Sequence, residues 1–185
     1  MPSKEVQKEI LGHFLVSLIW VMILSLLRWS LGWKLIYLWA GVALGTFILD
    51  IDHLIYWFVS HSEKQDSQLA KILWQKQDFP GLLSLLARYH DTHTRLIFHS
   101  ALFQGILFVL AFYIFTSGGS FFASGLVAAM NLHLLKDEWQ EYLRGKEGHL
   151  NDWLFWQVQK EVNLRTQKIY LISVSAIFGI LSLMV

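Results

Sequence analysis

Apolar residues in this chain come in bilayer-length runs rather than in the short alternations of a soluble domain. Five such runs stand out: Ile10–Leu27, Leu35–Val59, Leu96–Phe115, Phe121 to about Leu135, and Ile169–Val185. At 1.5 Å of rise per residue, runs of this kind approach or reach the thickness of a membrane's hydrocarbon core. The second run is broken only by Asp50, Asp52 and His53, three ionisable residues within four positions. Such residues are costly inside a bilayer and mark a functional site by default. Asp50 and His53 stand three apart and share a helix face, whereas Asp52 points elsewhere unless the helix ends there.

The connections alternate between short and long. Arg28 to Lys34, with Gly32, is a tight turn flanked by Trp29 and Trp33 at headgroup level. Thr116-Ser117-Gly118-Gly119-Ser120 is a second turn signal. Ser60–Thr94 is polar overall, yet Leu69, Ile72 and Leu73 recur at helical spacing, and Pro80-Gly81 precedes Leu82, Leu83, Leu85 and Leu86. That pattern predicts one or two amphipathic helices, lying in the membrane surface or packed as a cap over helix ends. In the loop 140–168, Leu150, Trp153, Leu154 and Val158 form another stripe suited to the interface. The predicted fold is all-α: a polytopic membrane helix bundle of about five spans with interfacial amphipathic helices in the two longer loops. We expect one domain over residues 1–185, with a bundle over 10–139, the interfacial loop, and a plain C-terminal span over 169–185. The first run follows Lys4 and Lys8 as a signal peptide would, but Arg28-Trp29-Ser30 offers no small-x-small cleavage site, so it is read as a mature helix.

Composition agrees. The 185 residues are 55% hydrophobic and 16% charged, against about a quarter charged in a soluble domain. Without cysteine there is no disulfide framework and no thiolate metal site. A net charge of +1 and the lack of basic runs interleaved with aromatics argue against a nucleic-acid surface.

Alternating spans bring distant polar residues to one side. The start of the first span (His13), the end of the second (Asp50, Asp52, His53), the start of the third (His99) and the end of the fourth (His133, Asp137) share one face. Arg28 and Lys34 are the only basic residues on the opposite face, leaving 13 of the 15 Lys and Arg with the cluster. The positive-inside rule then turns that face to the cytoplasm of an inner-type membrane. Imidazoles and carboxylates without thiols suit Zn²⁺, Mn²⁺ or Fe²⁺. His133 and Asp137, one helical turn apart, can reach one ion together. His13, Asp50, Asp52 and His99 could complete one site or two, and His53 is a further ligand or a proton shuttle. Small residues Ala123, Ser124, Gly125, Ala128 and Ala129 prepare the fourth span for close packing.

The blocks LDIDH (Leu49–His53), TRLIFHS (Thr94–Ser100) and HLLKD (His133–Asp137), with the early His13, resemble the YdjM-type family of membrane-bound metal-dependent hydrolases. That family is distantly similar to zinc-dependent phospholipase C and to single-strand nucleases, and the resemblance spans most of the chain. It implies a divalent metal, zinc first, held by His13, Asp50, Asp52, His99, His133 and Asp137, and hydrolysis of a phosphoester such as a lipid. The chain departs from the pattern at Leu49, where the family has proline, and at Thr94, where it has histidine. His93 is the adjacent replacement, with His90 one turn further back. Arg95 matches, and a guanidinium suits a phosphate oxygen. Asp52 or Glu138 is the expected general base for a metal-activated water. The alternative reading is a non-catalytic metal-binding scaffold that recruits a partner through its two long loops; the membrane lipids are the other expected partners.

Overall fold

A computed structural model describes residues 4–145, 147–158 and 161–185. Met1 to Ser3 of the polar start, and positions 146, 159 and 160 of the second long loop, lie outside the described residues. Among those described there is no strand. The elements are α1 (Lys4–Leu27), α2 (Leu35–Ile48), α3 (Ile51–Ile55), α4 (Gln65–Gln75), α5 (Phe79–Tyr89), α6 (Ala101–Thr116), α7 (Phe121–Leu143), α8 (Glu147–Leu154) and α9 (Leu164–Ser182). Three stretches are long and apolar enough to cross a membrane: Ile10–Leu27, Gly32–Ser60 and Leu164–Ser182. Helix α6 is as apolar but shorter, and α7 is long but carries Asn131, His133, Lys136, Asp137 and Glu138.

Helix α7 is central, and it lies against α2 at backbone-contact distance. Gly41 and Gly45 of α2 face Gly125 of α7, and each would need space already filled if it carried a side chain. A Cβ on Gly45 would overlap the carbonyl oxygen of Leu126 and stand 3.0 Å from the Ala129 Cβ. One on Gly125 would overlap the Leu38 carbonyl and stand 3.0 Å from the Val42 nitrogen. Small residues permit this approach, and where lipid offers no hydrophobic incentive for association, the dispersion it gains holds helices together.

The second apolar run is not one continuous helix. At Leu49-Asp50 the ladder slips, and the Asp50 amide bonds the carbonyl of Phe47 (3.2 Å) rather than that of Thr46. A short helix follows, then a wide turn over Tyr56–Ser60. Leu49, which the family resemblance expects to be proline, is core, packed with Leu107 and Leu134.

Three expectations need correction. The third helix begins at Ala101 rather than Leu96, because Ser100 caps it by accepting from the Phe103 amide (3.3 Å). His99 therefore stands on a loop. Helix α7 runs on to Leu143, four residues past the expected end of the bundle at 139. The stripe of the second long loop faces protein: Leu150, Trp153 and Leu154 are buried against Tyr56, Trp57, Leu96 and Leu171, and only Val158 is exposed. In the first long loop, α4 and α5 turn Ala70, Leu82 and Leu85 inward and leave Leu69, Ile72, Trp74, Phe79 and Leu83 exposed. Asp78 starts α5 by accepting from the Gly81 amide (2.9 Å), so Pro80 occupies the first turn, where its missing N–H costs nothing.

Candidate metal centre

The slip at Asp50 has a direct effect on the site. It releases the Thr46 carbonyl, and His133 Nδ1 donates to it at 2.7 Å. With its hydrogen committed there, His133 is left with a lone pair on Nε2. That atom faces other acceptors: Asp137 Oδ2 at 3.2 Å, His99 Nε2 at 3.5 Å and Asp50 Oδ1 at 3.6 Å. His99 is oriented by Asp52 Oδ2, 3.5 Å from its Nδ1, and the same oxygen accepts from the Phe98 amide at 2.6 Å. His13 Nε2 lies 3.2 Å from Asp137 Oδ1, and the His13 ring stacks on that of His133 at 4.0 Å. His90 Nε2 is 3.8 Å from Asp50 Oδ1.

Two overlapping groups could hold a metal ion: His13, His90, His133 and Asp137, and Asp50, His90, His99 and His133. Two observations show that the donors fit one. Lone pairs aimed at one another across 3.2 to 3.6 Å need a proton or a cation between them. The edge of a tetrahedron with bonds of about 2.0 Å is about 3.3 Å, close to those spacings. Charge agrees. Asp50, Asp52 and Asp137 bring three negative charges, and Lys136, whose Nζ is 3.1 Å from both His13 Nε2 and Asp137 Oδ1, returns one. Among the described residues the remainder matches a divalent ion.

His13, Asp50, His99, His133 and Asp137 thus converge, and His90 joins them. Asp52 lies behind His99 as its orienting carboxylate, the usual partner of a ligating imidazole. His93 belongs elsewhere: its Nε2 donates to Asp66 Oδ2 (2.9 Å), which also accepts from Trp57 Nε1 (2.9 Å). Its Nδ1 must then accept, and the His53 Nδ1 at 2.8 Å is the donor. Asp66 in this way fixes two tautomers in series and leaves a lone pair on His53 Nε2, a buried atom with no hydrogen-bond partner. His53 lies outside both ligand groups, with its ring 4.5 Å from His90 and 5.4 Å from His99.

The two members of this chain outside the spans titrate as their surroundings dictate. Burial pushes the His93 ring down to about 4, and Asp66 beside it recovers only part of the loss. Burial alone would raise the Asp66 carboxyl, but the hydrogen bonds from His93 and Trp57 outweigh it and hold the group below the usual carboxylate range.

Two expected catalytic residues are not at the cluster. Glu138 follows Asp137 by one position and so points about 100° away around α7. It is fully buried on the side of Gln104 and Tyr170, which bond each other there. Arg95 is exposed and has a left-handed backbone (φ 59°). Among the described residues, Lys136 is a cation at the cluster. His149, in the second long loop, pairs with Glu141 Oε2 at 3.1 Å.

The fold and site together define a class, an all-helical protein with membrane-length helices and a buried His/Asp cluster able to hold a metal ion. Comparisons with protein-family models, with curated proteins and with solved structures each return no match.

Proposed function

We propose that the chain is a membrane-embedded, metal-dependent hydrolase acting on a phosphoester at the cytoplasmic face of an inner-type membrane. The observation that carries this reading is the set of imidazole lone pairs and carboxylate oxygens facing each other inside the bundle. Zinc is the first choice, because nitrogen and oxygen donors without thiols at this spacing suit it. A bound divalent ion supplies Lewis acidity toward a phosphoryl oxygen and lowers the pKa of its water to about 7. His99, His133, His90 and Asp50 would hold the ion, or His13, His90, His133 and Asp137 would. Asp52 keeps His99 turned inward. His53, locked by His93 and Asp66, would hold a proton on its bare Nε2 beside the cluster. Lys136 is the positive charge beside the cluster for a phosphate oxygen.

The topology proposed with this function has five spans, with α6 and α7 completing the three longer stretches. The concentration of Lys and Arg on the cluster side supports the orientation. The resemblance of LDIDH, TRLIFHS and HLLKD to the YdjM-type hydrolases supports the reaction class.

The test is metal analysis and phosphoester turnover on purified protein, wild type against Asp50→Ala and His133→Ala. We expect at least one transition-metal ion per chain, lost along with turnover in both variants while helicity is kept. Stoichiometric metal in both variants would remove these residues from the ligand set. Metal that depends on both residues but supports no ester hydrolysis would leave a structural ion in a scaffold.

A further inference from the structure

A cavity of about 480 Å³ lies between α1, the broken second helix, and α4–α5. Three of its lining side chains are polar and chemically reactive: His13, Asp50 and His90. All three belong to the metal-holding groups, and they form one patch, with the His13 and His90 rings 6.4 Å apart and His90 against Asp50. The rest of the wall is aliphatic or aromatic, including Leu54, Trp57, Leu82 and Leu86. A mostly apolar pocket of several hundred Å³ with a few convergent polar groups is the form small-molecule sites take.

The rim decides what enters. Ile10, Phe47, Ile51, Trp74, Phe79 and Leu83 line the cavity and are also substantially exposed. Three of them, Trp74, Phe79 and Leu83, are on α4 and α5, whose outward faces are apolar, and the others are on membrane-length stretches. A mouth ringed by exposed apolar side chains opens to hydrocarbon. A water-soluble phosphoester would have to cross that ring to reach His90, whereas a lipid would enter sideways with its chain leading.

We infer that the substrate is a membrane amphiphile whose alkyl or acyl chain lies in this cavity, with the phosphoester linkage of its head group against His13, Asp50 and His90. The inference rests on the hydrolase reading for the identity of the head group. The chain's place in the cavity stands on the apolar wall alone.

The experiment uses the full chain with its metal, in nanodiscs, and measures binding and turnover of butyl, octyl and dodecyl phosphate. Each methylene buried in the cavity should tighten binding about fourfold. Chain-dependent partitioning into the bilayer would imitate that gradient, so the cavity is filled as well. Ala87→Trp, on α5 one turn before His90, should weaken dodecyl phosphate at least 30-fold while leaving metal content and butyl phosphate binding within twofold. Leu83→Trp, at the half-exposed rim and so of little risk to folding, should do the same more mildly. Val109→Trp on the exposed face of α6 should change nothing. A gradient of equal steepness in wild type, Ala87→Trp and Leu83→Trp would overturn the inference, as would equal affinity for the butyl and dodecyl esters. Chain-dependent binding abolished by both tryptophans, with no ester cleaved, would keep the lipid in the cavity and dismiss the hydrolase.

Discussion

Replacing Gly45 by alanine should damage the candidate metal centre from about a turn away. The added Cβ would overlap the Leu126 carbonyl and press on the Ala129 Cβ at 3.0 Å. Both obstacles belong to a packed helix rather than to a flexible side-chain tip, so α2 and α7 must separate by about 1 Å, which forfeits a quarter to a half of each contact along the seam. Overpacking of this kind costs about 3 kcal/mol at its upper end. Reduced freedom of the unfolded chain offsets up to about 1 kcal/mol. The net loss of about 2 kcal/mol lowers Tm by roughly 4 to 8 °C in a chain of this size. The same separation takes the Thr46 carbonyl away from His133 Nδ1, now 2.7 Å apart. Losing an orienting partner of this sort typically costs 10- to 100-fold in metal affinity. The assay is thermal unfolding in detergent, with and without metal, alongside a chelator-competition titration. Gly105→Ala on α6, where a Cβ meets nothing within 4 Å, is the control and should be neutral or stabilising by about 0.5 to 1 kcal/mol. If Gly45→Ala behaves like Gly105→Ala, the seam is looser than described. If Tm falls and metal affinity does not, the link from seam to site is wrong.

Three further outcomes are expected. His90→Ala should lose metal while His93→Ala keeps its stoichiometry, read by elemental analysis; the reverse would restore the sequence-based choice of His93. Asp52→Asn should bind metal 10- to 100-fold more weakly, since it still accepts from the Phe98 amide but no longer presents a charge to His99, and calorimetry would show this. The metal-free protein should lose stability as pH falls. The folded His93 titrates at about 4 against 6.5 unfolded, so between those values the unfolded chain binds more protons, and about 3 kcal/mol present above pH 6.5 is gone near pH 4. His93→Gln should flatten that slope, measured as the difference between the two unfolding curves; identical slopes would refute it.

Much of the site could be read from hydrophobic periodicity, because a helix end fixes the depth of a residue and alternating spans fix its side. This is why His13, Asp50, His99, His133 and Asp137 could be grouped without coordinates. His90 and His93 could not be ranked in that way. They lie in a short turn and an extended segment, where side-chain direction follows local backbone geometry and not a period, and Asp66 takes the nearer of the two. Glu138 was separable in principle, since adjacent helix residues diverge by about 100°. The spacing of Gly41 and Gly45 is the small-xxx-small signal of close helix contact, and it stands in the sequence beside the small residues of α7. The inward turn of Leu150, Trp153 and Leu154 was beyond reach, because a stripe of apolar residues suits a lipid surface and a protein groove equally.

The slipped hydrogen bond at Asp50 sets a condition on how this protein can change. Were residues 45–55 to close into a regular helix, the Thr46 oxygen would return to its own ladder and the His133 ring would be released to rotate. Uninterrupted coiling and a steady imidazole compete for one oxygen here. Any substitution that perfects the second helix is therefore expected to yield a sturdier rod and a blunter instrument.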